Sequence, residues 1–431
     1  MRNLFFLFFV FTSPLIFAQS QELFSHDRLI VKVVEGASFP KLEGVTKVKN
    51  LFENVFLVYS NDIEKIEQKL NSDPSIIYVQ KDYIRKRNID LKSQPIVLLK
   101  GLVTSPFNDP QINKQWALAS AVNNGVSVFE AYMKRRDNKK TVIVAIVDTG
   151  IDYDHQDLKE NVWTNKNEIP GNGIDDDQNG YIDDIHGINT LNRDRGGNAT
   201  SDNKDTEGHG THVAGIIGAV QNNNFGIAGI AQKVKLMSIR TVPNDGDEKD
   251  ADVVEAFVYA AKNGAKLINC SFGKSVNEGG MAVADAINYI GKDFGTLVIA
   301  AAGNDSVDID KKPTYPASFP TDYLMVVAST EKTGSMSYFS NFGIENVDLA
   351  APGGAIYSTL PNNQFANLSG TSMASPVATG VAAEILSIRP DLTALELKAL
   401  LIDTVTKKST FENKIKSGGR IDLLKAIDTL N

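Results

Sequence analysis

The sequence predicts an α/β fold, a doubly wound and mostly parallel sheet with helices on both faces, preceded by a smaller α+β unit. From residue 141 onward, short and continuously apolar runs recur, as expected for strands buried on both faces of a sheet. They occupy residues 142–147, 234–239, 265–270, 296–301 and 324–328. Helical patterns lie between the runs, notably at residues 252–262 and 281–292. Because parallel strands need such crossovers, this alternation is the main evidence for the fold class.

A different pattern occupies residues 27–87, where strands surround one helix. Strand-like runs cover residues 28–34, 54–59 and 75–79, and a helical pattern covers residues 63–70. Residues 88–110 lack a clear period and contain Pro95, Pro106 and Pro110, which is typical of a linker. We therefore divide the chain into residues 1–18, 19–105 and 106–431, the last of which is the large α/β domain.

The first residues have the pattern of a secretory signal peptide. Arg2 supplies a positive start, residues 4–10 are apolar, and Ala18 precedes Gln19 at a position suited to cleavage. A membrane anchor is the alternative, but the apolar run is short and is interrupted by Ser13 and Pro14. We expect residues 1–18 to be removed and the protein to be exported, to the periplasm or to the medium.

Composition excludes several classes of protein. Of 431 residues, 42% are hydrophobic and 22% are charged, which is ordinary for a globular chain. A net charge of −8 argues against a nucleic-acid partner. The single cysteine, Cys270, rules out an intramolecular disulfide, and its apolar strand setting favours a packed core thiol over a nucleophile. An exported chain without disulfides needs another stabiliser, for which metal ions are natural candidates. We expect a monomer.

Chemistry-capable residues follow three predicted elements. Asp148 comes directly after the first long strand, where it can orient a histidine or simply form a turn or cap. His209 and His212 lie three positions apart, so a metal pair on one helix face competes with a catalytic base. Ser372 stands at the head of a helix-like run, where free N–H groups can stabilise an anion. Helix capping by Thr371 or Ser372 is the alternative at that position.

The chain order Asp, His, Ser is one of the known orders of a serine triad. At this point the motifs resemble the three catalytic signatures of the subtilisin-like serine proteases, the subtilases. The matching segments are Asp148-Thr149-Gly150, Gly208-His209-Gly210-Thr211-His212 and Gly370-Thr371-Ser372-Met373-Ala374-Ser375-Pro376. The resemblance covers about residues 108–430. An α/β-hydrolase esterase is disfavoured, because the segment around Ser372 lacks the final glycine of the nucleophile elbow and the triad order differs.

The resemblance implies a role for each of these residues. Ser372 would be the nucleophile, His209 the base and Asp148 its orienting partner. Asn304, in Ala301-Ala302-Gly303-Asn304, would complete the oxyanion hole, although its context also fits a simple turn. Substrate backbone would pair with residues 271–273, which are Ser271, Phe272 and Gly273, and Gly303 would belong to the opposite wall. Such main-chain pairing makes little demand on the substrate sequence. Because these segments show no charge that would demand a charged substrate residue, we expect a broad preference for apolar or aromatic side chains.

Calcium is expected at two places. Asp148 and His209 are 61 positions apart (209 − 148), and this insert contains a segment that matches the first positions of an EF-hand calcium loop. The candidate ligands there are Asp175, Asp177, Asn179 and Asp183. The loop is incomplete, since His186 stands where the bidentate Glu belongs, and a solvated acidic turn is the alternative. The resemblance also implies a structural calcium site at Asp157 and Asn223.

These patterns predict a secreted serine endopeptidase that hydrolyses polypeptides. The resemblance implies that residues 22–105 form a propeptide with a ferredoxin-like α+β domain, which assists folding and inhibits the active site. Self-cleavage would give a mature chain that starts within residues 106–111. The alternative function is a catalytically silent pseudoprotease that binds peptides without cutting them.

Overall fold

The computed structural model describes residues 24–83, 105–134, 139–246, 248–274 and 280–430. The predicted signal peptide and most of the predicted linker lie outside these residues. No helix among the described residues is long and apolar enough to cross a membrane.

Residues 24–83 fold as a small α+β domain. Its four strands pair antiparallel in the order β2-β3-β1-β4, and one helix packs against them. The elements are β1 (Phe24–Val33), β2 (Val45–Phe52), β3 (Val55–Ser60), α1 (Ile63–Asn71) and β4 (Ile76–Tyr83). The ferredoxin-like pattern has a second helix, between β1 and β2, but the described chain forms turns there. Asp62 caps α1 by accepting a hydrogen bond from the backbone N–H of Lys65.

The second domain is built on a ten-stranded sheet. Its strand order is β15-β16-β12-β11-β10-β9-β5-β8-β6-β7, and the central strands are parallel. The strands are β5 (Val142–Asp148), β6 (Asn189–Arg193), β7 (Ala199–Thr200), β8 (Val234–Arg240), β9 (Leu267–Cys270), β10 (Leu297–Ala301), β11 (Leu324–Thr330), β12 (Leu349–Pro352), β15 (Thr406–Lys407) and β16 (Gly419–Arg420). A separate hairpin pairs β13 (Ile356–Leu360) with β14 (Gln364–Leu368).

Helices cover both faces of this sheet. They are α2 (Val128–Met133), α3 (His209–Gly218), α4 (Asp250–Lys262), α5 (Met281–Phe294), α6 (Thr371–Ile388), α7 (Ala394–Asp403) and α8 (Leu423–Thr429). Successive strand residues alternate between two apolar layers: Val144 and Ile146 pack on the side of α3 and α6, whereas Ala145 and Val147 pack on the side of α4 and α5. The fold-class prediction is therefore confirmed, and the five predicted strands correspond to β5, β8, β9, β10 and β11.

The small domain packs against the same side of the sheet as α4 and α5. Its residues Leu51, Phe52 and Val55 belong to one buried apolar cluster with the two helices. The ring of Phe52 stacks on that of Tyr289 in α5, with centroids 5.1 Å apart. The small sheet therefore covers one face of α4 and of α5 in the larger domain.

Candidate active site

Asp148 ends β5 at the carboxyl edge of the sheet. Its side chain is 1% exposed, and Oδ1 accepts a hydrogen bond of 2.8 Å from the backbone N–H of Thr149. The flanking strands β8 and β9 pair in register with β5, which fixes where the carboxylate points. Reactive groups gather at this edge because parallel strands all end there.

His209 is the first residue of α3 and lies directly opposite Asp148. Its Nδ1 is 2.8 Å from Asp148 Oδ1, and the ring is 2% exposed. With the Nδ1 hydrogen given to the carboxylate, Nε2 keeps its lone pair and can accept a proton. Gly210 allows this approach, since a Cβ there would lie 2.1 Å from the carbonyl oxygen of Gly150.

Asp205 organises the turn that carries His209, a role that was not predicted from the sequence. It is 2% exposed and accepts hydrogen bonds from the backbone N–H groups of Gly208 and Thr211 and from the hydroxyl of Thr149. Thr149 in turn accepts from the N–H of Gly210. The chain after Asp148 and the helix of His209 are thus tied to the same carboxylate.

His212 is not part of a metal pair with His209. It is fully buried, and its Nε2 lies 3.1 Å from the carbonyl oxygen of Ala366 in β14. Burial lowers the pKa of His212 to about 3, so the ring is neutral. The two rings therefore have different partners, His209 the carboxylate of Asp148 and His212 the hairpin that precedes α6.

Ser372 is the second residue of α6. Gly370 is the N-cap and makes no side-chain capping bond, so the capping alternative for Thr371 and Ser372 does not hold. The backbone N–H of Met373 bonds the carbonyl oxygen of Gly370, and that of Ser372 has no acceptor among the described residues. This free N–H group lies at the N-terminus of α6, the positive end of the helix dipole, where it can stabilise an anion.

Ser372 is 7% exposed, and its hydroxyl donates to the carbonyl oxygen of Ser271 at 3.0 Å. The hydroxyl of Ser271 returns a bond of 2.8 Å to the carbonyl oxygen of Ser372. That carbonyl is free because Pro376, inside α6, has no N–H to donate to the residue four positions before it. The Ser372 hydroxyl must therefore leave the Ser271 carbonyl before it can donate its proton to a base.

Asn304 follows β10 and reaches the head of α6. Its Oδ1 accepts from the backbone N–H and the hydroxyl of Thr371, both at 2.9 Å, which turns its Nδ2 to the other side. A Cβ on Gly370 would stand 3.6 Å from this Nδ2 and 3.5 Å from the backbone nitrogen of Ser372. The missing side chain of Gly370 thus leaves space between two donors, as an oxyanion hole requires.

Asn341 holds the loop that carries Asn304, and sequence reasoning missed it. It is fully buried, and its Nδ2 donates to the carbonyl oxygen of Ala302 at 3.0 Å. Its Oδ1 accepts from the backbone N–H groups of Asp305 and Val307 at 2.9 and 3.1 Å. Asn341 therefore bonds the chain on both sides of Asn304.

The predicted substrate residues lie beside this hole but differ in what they can offer. The side chain of Phe272 is buried in the apolar layer under α4 and α5, so its backbone alone faces the site. Gly273 is exposed. Cβ atoms on Gly273 and Gly303 would stand 3.6 and 3.5 Å from Cγ2 of Thr314, which places this threonine between the two walls. Thr314 was not predicted from the sequence.

The acidic insert brings together a different set of ligands from the predicted one. Carboxylate oxygens of Glu168, Asp175 and Asp177 lie within 4.8 Å of one another. Asp183 points away and accepts backbone N–H bonds from residues 171 to 173. Asn179 bonds Asp184 and the N–H of Tyr181. Glu168 is thus a candidate ligand that was not predicted from the sequence, where only its position in the same insert could have indicated it.

Asp157 and Asn223 are in contact, and a third residue joins them. Asn223 Nδ2 donates to Asp157 Oδ1 at 2.8 Å. Asp109 accepts from the backbone N–H groups of Asn222 and Asn223. Both carboxylates are buried, and neither has a basic partner among the described residues. Burial, and then the charge of Asp109, raises the pKa of Asp157 to about 7. A cation would relieve this unfavourable arrangement.

Known proteins resemble this chain over most of its length. The family model of the subtilase family matches residues 139–418. Subtilisin-like protease 1 of Plasmodium berghei is 34% identical over 339 residues, which are 74% of this chain and 54% of the relative. Thermitase of Thermoactinomyces vulgaris is 36% identical over 287 residues, which are 66% of this chain and 88% of thermitase. The chain spans about half the length of the Plasmodium relatives.

A solved structure is similar over nearly the whole chain. The epidermin leader peptide processing serine protease of Staphylococcus aureus superimposes with a TM-score of 0.68 at 25% sequence identity. The match covers 96% of this chain and 99% of that protein. The similarity thus extends beyond the domain that contains Asp148, His209 and Ser372.

Proposed function

Because the chain belongs to the subtilase family, we propose that it is a secreted serine endopeptidase that cuts peptide bonds through Asp148, His209 and Ser372. The observation that carries this proposal is the 2.8 Å contact between Asp148 Oδ1 and His209 Nδ1 at the carboxyl edge of the sheet where α6 presents Ser372. No other described cluster combines a base, an orienting carboxylate and a serine at a helix N-terminus.

Catalysis begins when the Ser372 hydroxyl turns from the Ser271 carbonyl to His209 Nε2. The imidazole takes its proton as Oγ attacks the peptide carbonyl carbon, and Asp148 stabilises the imidazolium that forms. The same proton then passes to the leaving amine as the C–N bond breaks. Water, activated by His209, attacks the acyl-enzyme in the same way and releases the new carboxylate.

The oxyanion of each tetrahedral intermediate would lie in the space beside Gly370. The backbone N–H of Ser372 and Nδ2 of Asn304 are its donors, held ready by α6 and by Asn341. Preorganised donors are effective because they need no rearrangement during reaction. An extended substrate would pair with the backbone of residues 271–273, which favours broad specificity.

We also propose that the small domain, residues 24–83, is a propeptide that inhibits the enzyme until self-cleavage releases it. The domain has its own core of Leu29, Val31, Val58, Ile66 and Leu70 and covers α4 and α5. The domain division predicted from the sequence, with a mature chain that starts within residues 106–111, remains our proposal.

Calcium fits two places in the larger domain. Glu168, Asp175 and Asp177 offer converging carboxylates, and Asp109 and Asp157 offer two buried ones beside Asn223. Calcium prefers such oxygen ligands and would supply charge neutralisation and loop stability, with no part in bond cleavage. Asn223 presents its NH₂ group to Asp157, so its role as a ligand requires the opposite face of the amide.

Labelling with a fluorophosphonate tests the function and separates it from the pseudoprotease alternative. The wild-type protein should be labelled and should hydrolyse a peptide library, whereas Ser372→Ala should do neither. Ser375→Ala is the matched control, because this serine lies in the same helix and bonds Asn269 and Ile299 instead. Absence of labelling in a folded wild-type protein would favour the pseudoprotease.

Self-processing has its own test. Ser372→Ala should accumulate at precursor length, while the wild type shortens to a chain whose first residue falls within 106–111. Equal shortening of both proteins would show that another protease makes the cut.

A further inference from the structure

We propose that the insert between Asp148 and His209 is a clamp for the small domain, which it holds through Glu255 after the linker is cut. This inference rests on the proposed function of residues 24–83 as an inhibitory propeptide. The clamp consists of Tyr181 in the acidic loop, Arg193 in the β6–β7 hairpin and Glu255 in α4. Its partner is strand β2 of the small domain.

The face of strand β2 that is turned toward the larger domain carries two lysines. Alternate residues of a strand share one face. Residues 45, 47 and 49 are partly buried, whereas residues 46, 48 and 50 are exposed. Two members of the inward face are Lys47 and Lys49, although an inward face is normally apolar. Lys49 has an acidic partner in the larger domain, whereas Lys47 Nζ is buried without a hydrogen-bond partner among the described residues.

Glu255 is that partner, and residues of the insert share it. Its Oε1 accepts from Lys49 Nζ at 2.7 Å and from the Tyr181 hydroxyl at 3.1 Å, and its Oε2 pairs with Arg193. Lys49 also stands 5.5 Å from the centre of the Tyr181 ring. Glu255 is 3% exposed. Although burial alone would raise it, Arg193 and Lys49 hold the pKa of Glu255 below its ordinary value.

The second lysine reaches the hairpin of the insert. A Cβ built on Gly197 would lie 2.2 Å from Lys47 Nζ, so this turn lies directly against the end of the lysine side chain. Gly197 has a φ of +76°, in the left-handed region that disfavours other residues. The hairpin turn thus lies in direct contact with strand β2.

Charge balance explains why the small domain completes the clamp. In α4, Asp252 and Glu255 lie three positions apart, so they repel each other on one helix face. Arg193 of the insert pairs with both carboxylates, so its single positive charge balances only one of their two negative charges. Lys49 supplies the missing positive charge at Glu255. Arg28 is shared between Asp252 at 3.1 Å and Asp82 at 2.5 Å, and the small domain adds one charge of each sign through Arg28 and Asp82.

The propeptide side of the contact offers a sharp experiment with the full-length chain. Lys49 would be absent from the mature enzyme, so precursors with Lys49→Ala and wild-type Lys49 yield identical mature sequences. After dilution of the refolded precursor, gels follow the cut of the linker and a chromogenic peptide follows the appearance of activity. The interval between the two events measures how long the clamp holds.

The clamp predicts that Lys49→Ala shortens this interval about ten-fold or more, since truncating one partner of a buried ion pair acts mainly on dissociation. Cleavage of the linker and final activity should match the wild type. Tyr181→Phe, which removes one hydroxyl from the insert, should shorten the interval less, and Lys49→Arg should restore it. Lys65→Ala is the matched control, because Lys65 is exposed on α1 and has no ion pair in the described part of the chain.

Failure of the clamp and failure of the proposed function give different results. Normal cleavage with equal intervals in wild type, Lys49→Ala and Lys65→Ala overturns the clamp alone. A precursor that is never cut, or one that is cut equally in Ser372→Ala, overturns the proposed self-processing. If Lys49→Ala fails to refold, equal intervals for Tyr181→Phe and wild type overturn the clamp.

Discussion

Ser271 and Ser372 exchange two hydrogen bonds across the active site, from Ser271 Oγ to the Ser372 carbonyl at 2.8 Å and from Ser372 Oγ to the Ser271 carbonyl at 3.0 Å. The first bond replaces the helix bond that Pro376 cannot make. The strand end of β9 thus takes over a structural role inside α6. The position of Ser372, the proposed nucleophile, thus depends on a residue 101 positions away.

Replacing Ser271 by alanine should lower kcat more than it raises KM. The substitution leaves the Ser372 carbonyl buried without a donor, which costs about 1–3 kcal/mol and loosens the first turn of α6. We expect kcat to fall roughly ten-fold to a hundred-fold. Ser375→Ala is the control, since it removes a buried hydroxyl from the same helix. Steady-state kinetics with equal losses in both variants would contradict a positioning role for Ser271.

The effects of Asn304→Ala and Asn341→Ala on kcat should not be additive. Asn304→Ala removes one oxyanion donor and should lower kcat by about 10²–10³. Asn341→Ala should lower kcat by a smaller factor, because it frees the chain on both sides of Asn304. In the Asn304→Ala background, the further loss from Asn341→Ala should nearly vanish.

Asn189 provides a control for that cycle. It is also buried and tethers a loop, through bonds to Asp202 and Leu191, but it does not contact the loop of Asn304. Asn189→Ala and Asn304→Ala should therefore be additive in kcat. If the effects of Asn341→Ala and Asn304→Ala on kcat are also additive, Asn341 contributes to the stability of the fold and does not position Asn304.

The fold class was predictable because buried parallel strands are continuously apolar. The runs at 142–147 and 234–239 correspond to β5 and β8 to within one residue at either end. Strand β2 was missed, because lysines occupy two positions of its inward face, where apolar residues are expected. Lys49 pairs with Glu255 of the other domain, 206 positions away, which no local pattern reveals.

The contact between Asp148 and His209 was predictable, because the proposed chemistry demands these residues in short motifs. Supporting residues were not predictable. Asn341 and Asp205 act through bonds to backbone groups, which require only a polar side chain at the right place in space. Capping by Thr371 or Ser372 could not be excluded from the sequence, because the group that accepts from the Thr371 N–H belongs to Asn304, 67 positions earlier.

Thr314 should set the size of the preferred side chain before the cut bond. Its Cγ2 lies between Gly273 and Gly303, which form the two expected walls. Thr314→Gly should raise kcat/KM for substrates with Phe or Tyr at that position relative to Ala, by roughly ten-fold to a hundred-fold. Paired chromogenic peptides measure the ratio. An unchanged ratio, with Thr321→Gly as a remote control, would place the pocket elsewhere.

Calcium removal should make stability depend on pH through Asp157. Burial raises the pKa of Asp157 from its ordinary 3.8 to about 7. The folded state then holds a proton that the unfolded state has lost, so this stabilisation is complete below pH 3.8 and disappears as the pH rises through about 7. In a chelator, the unfolding temperature should fall across this range, and Asp157→Asn should fall less steeply. Scanning calorimetry in the inactive Ser372→Ala background avoids self-digestion.

Added calcium should reverse that slope, because a bound cation favours the ionised carboxylate. At pH 8, a calcium concentration of about 100 times the dissociation constant should add about 2.7 kcal/mol of stability. The gain should shrink toward pH 5 and should be lost in Asp157→Asn and in Asp109→Asn. Glu168→Gln isolates the insert: it should remove one class of calcium sites in isothermal titration and leave the pH slope of Asp157 intact. A calcium response that survives in Asp157→Asn but disappears in Glu168→Gln would assign all of the calcium to the insert.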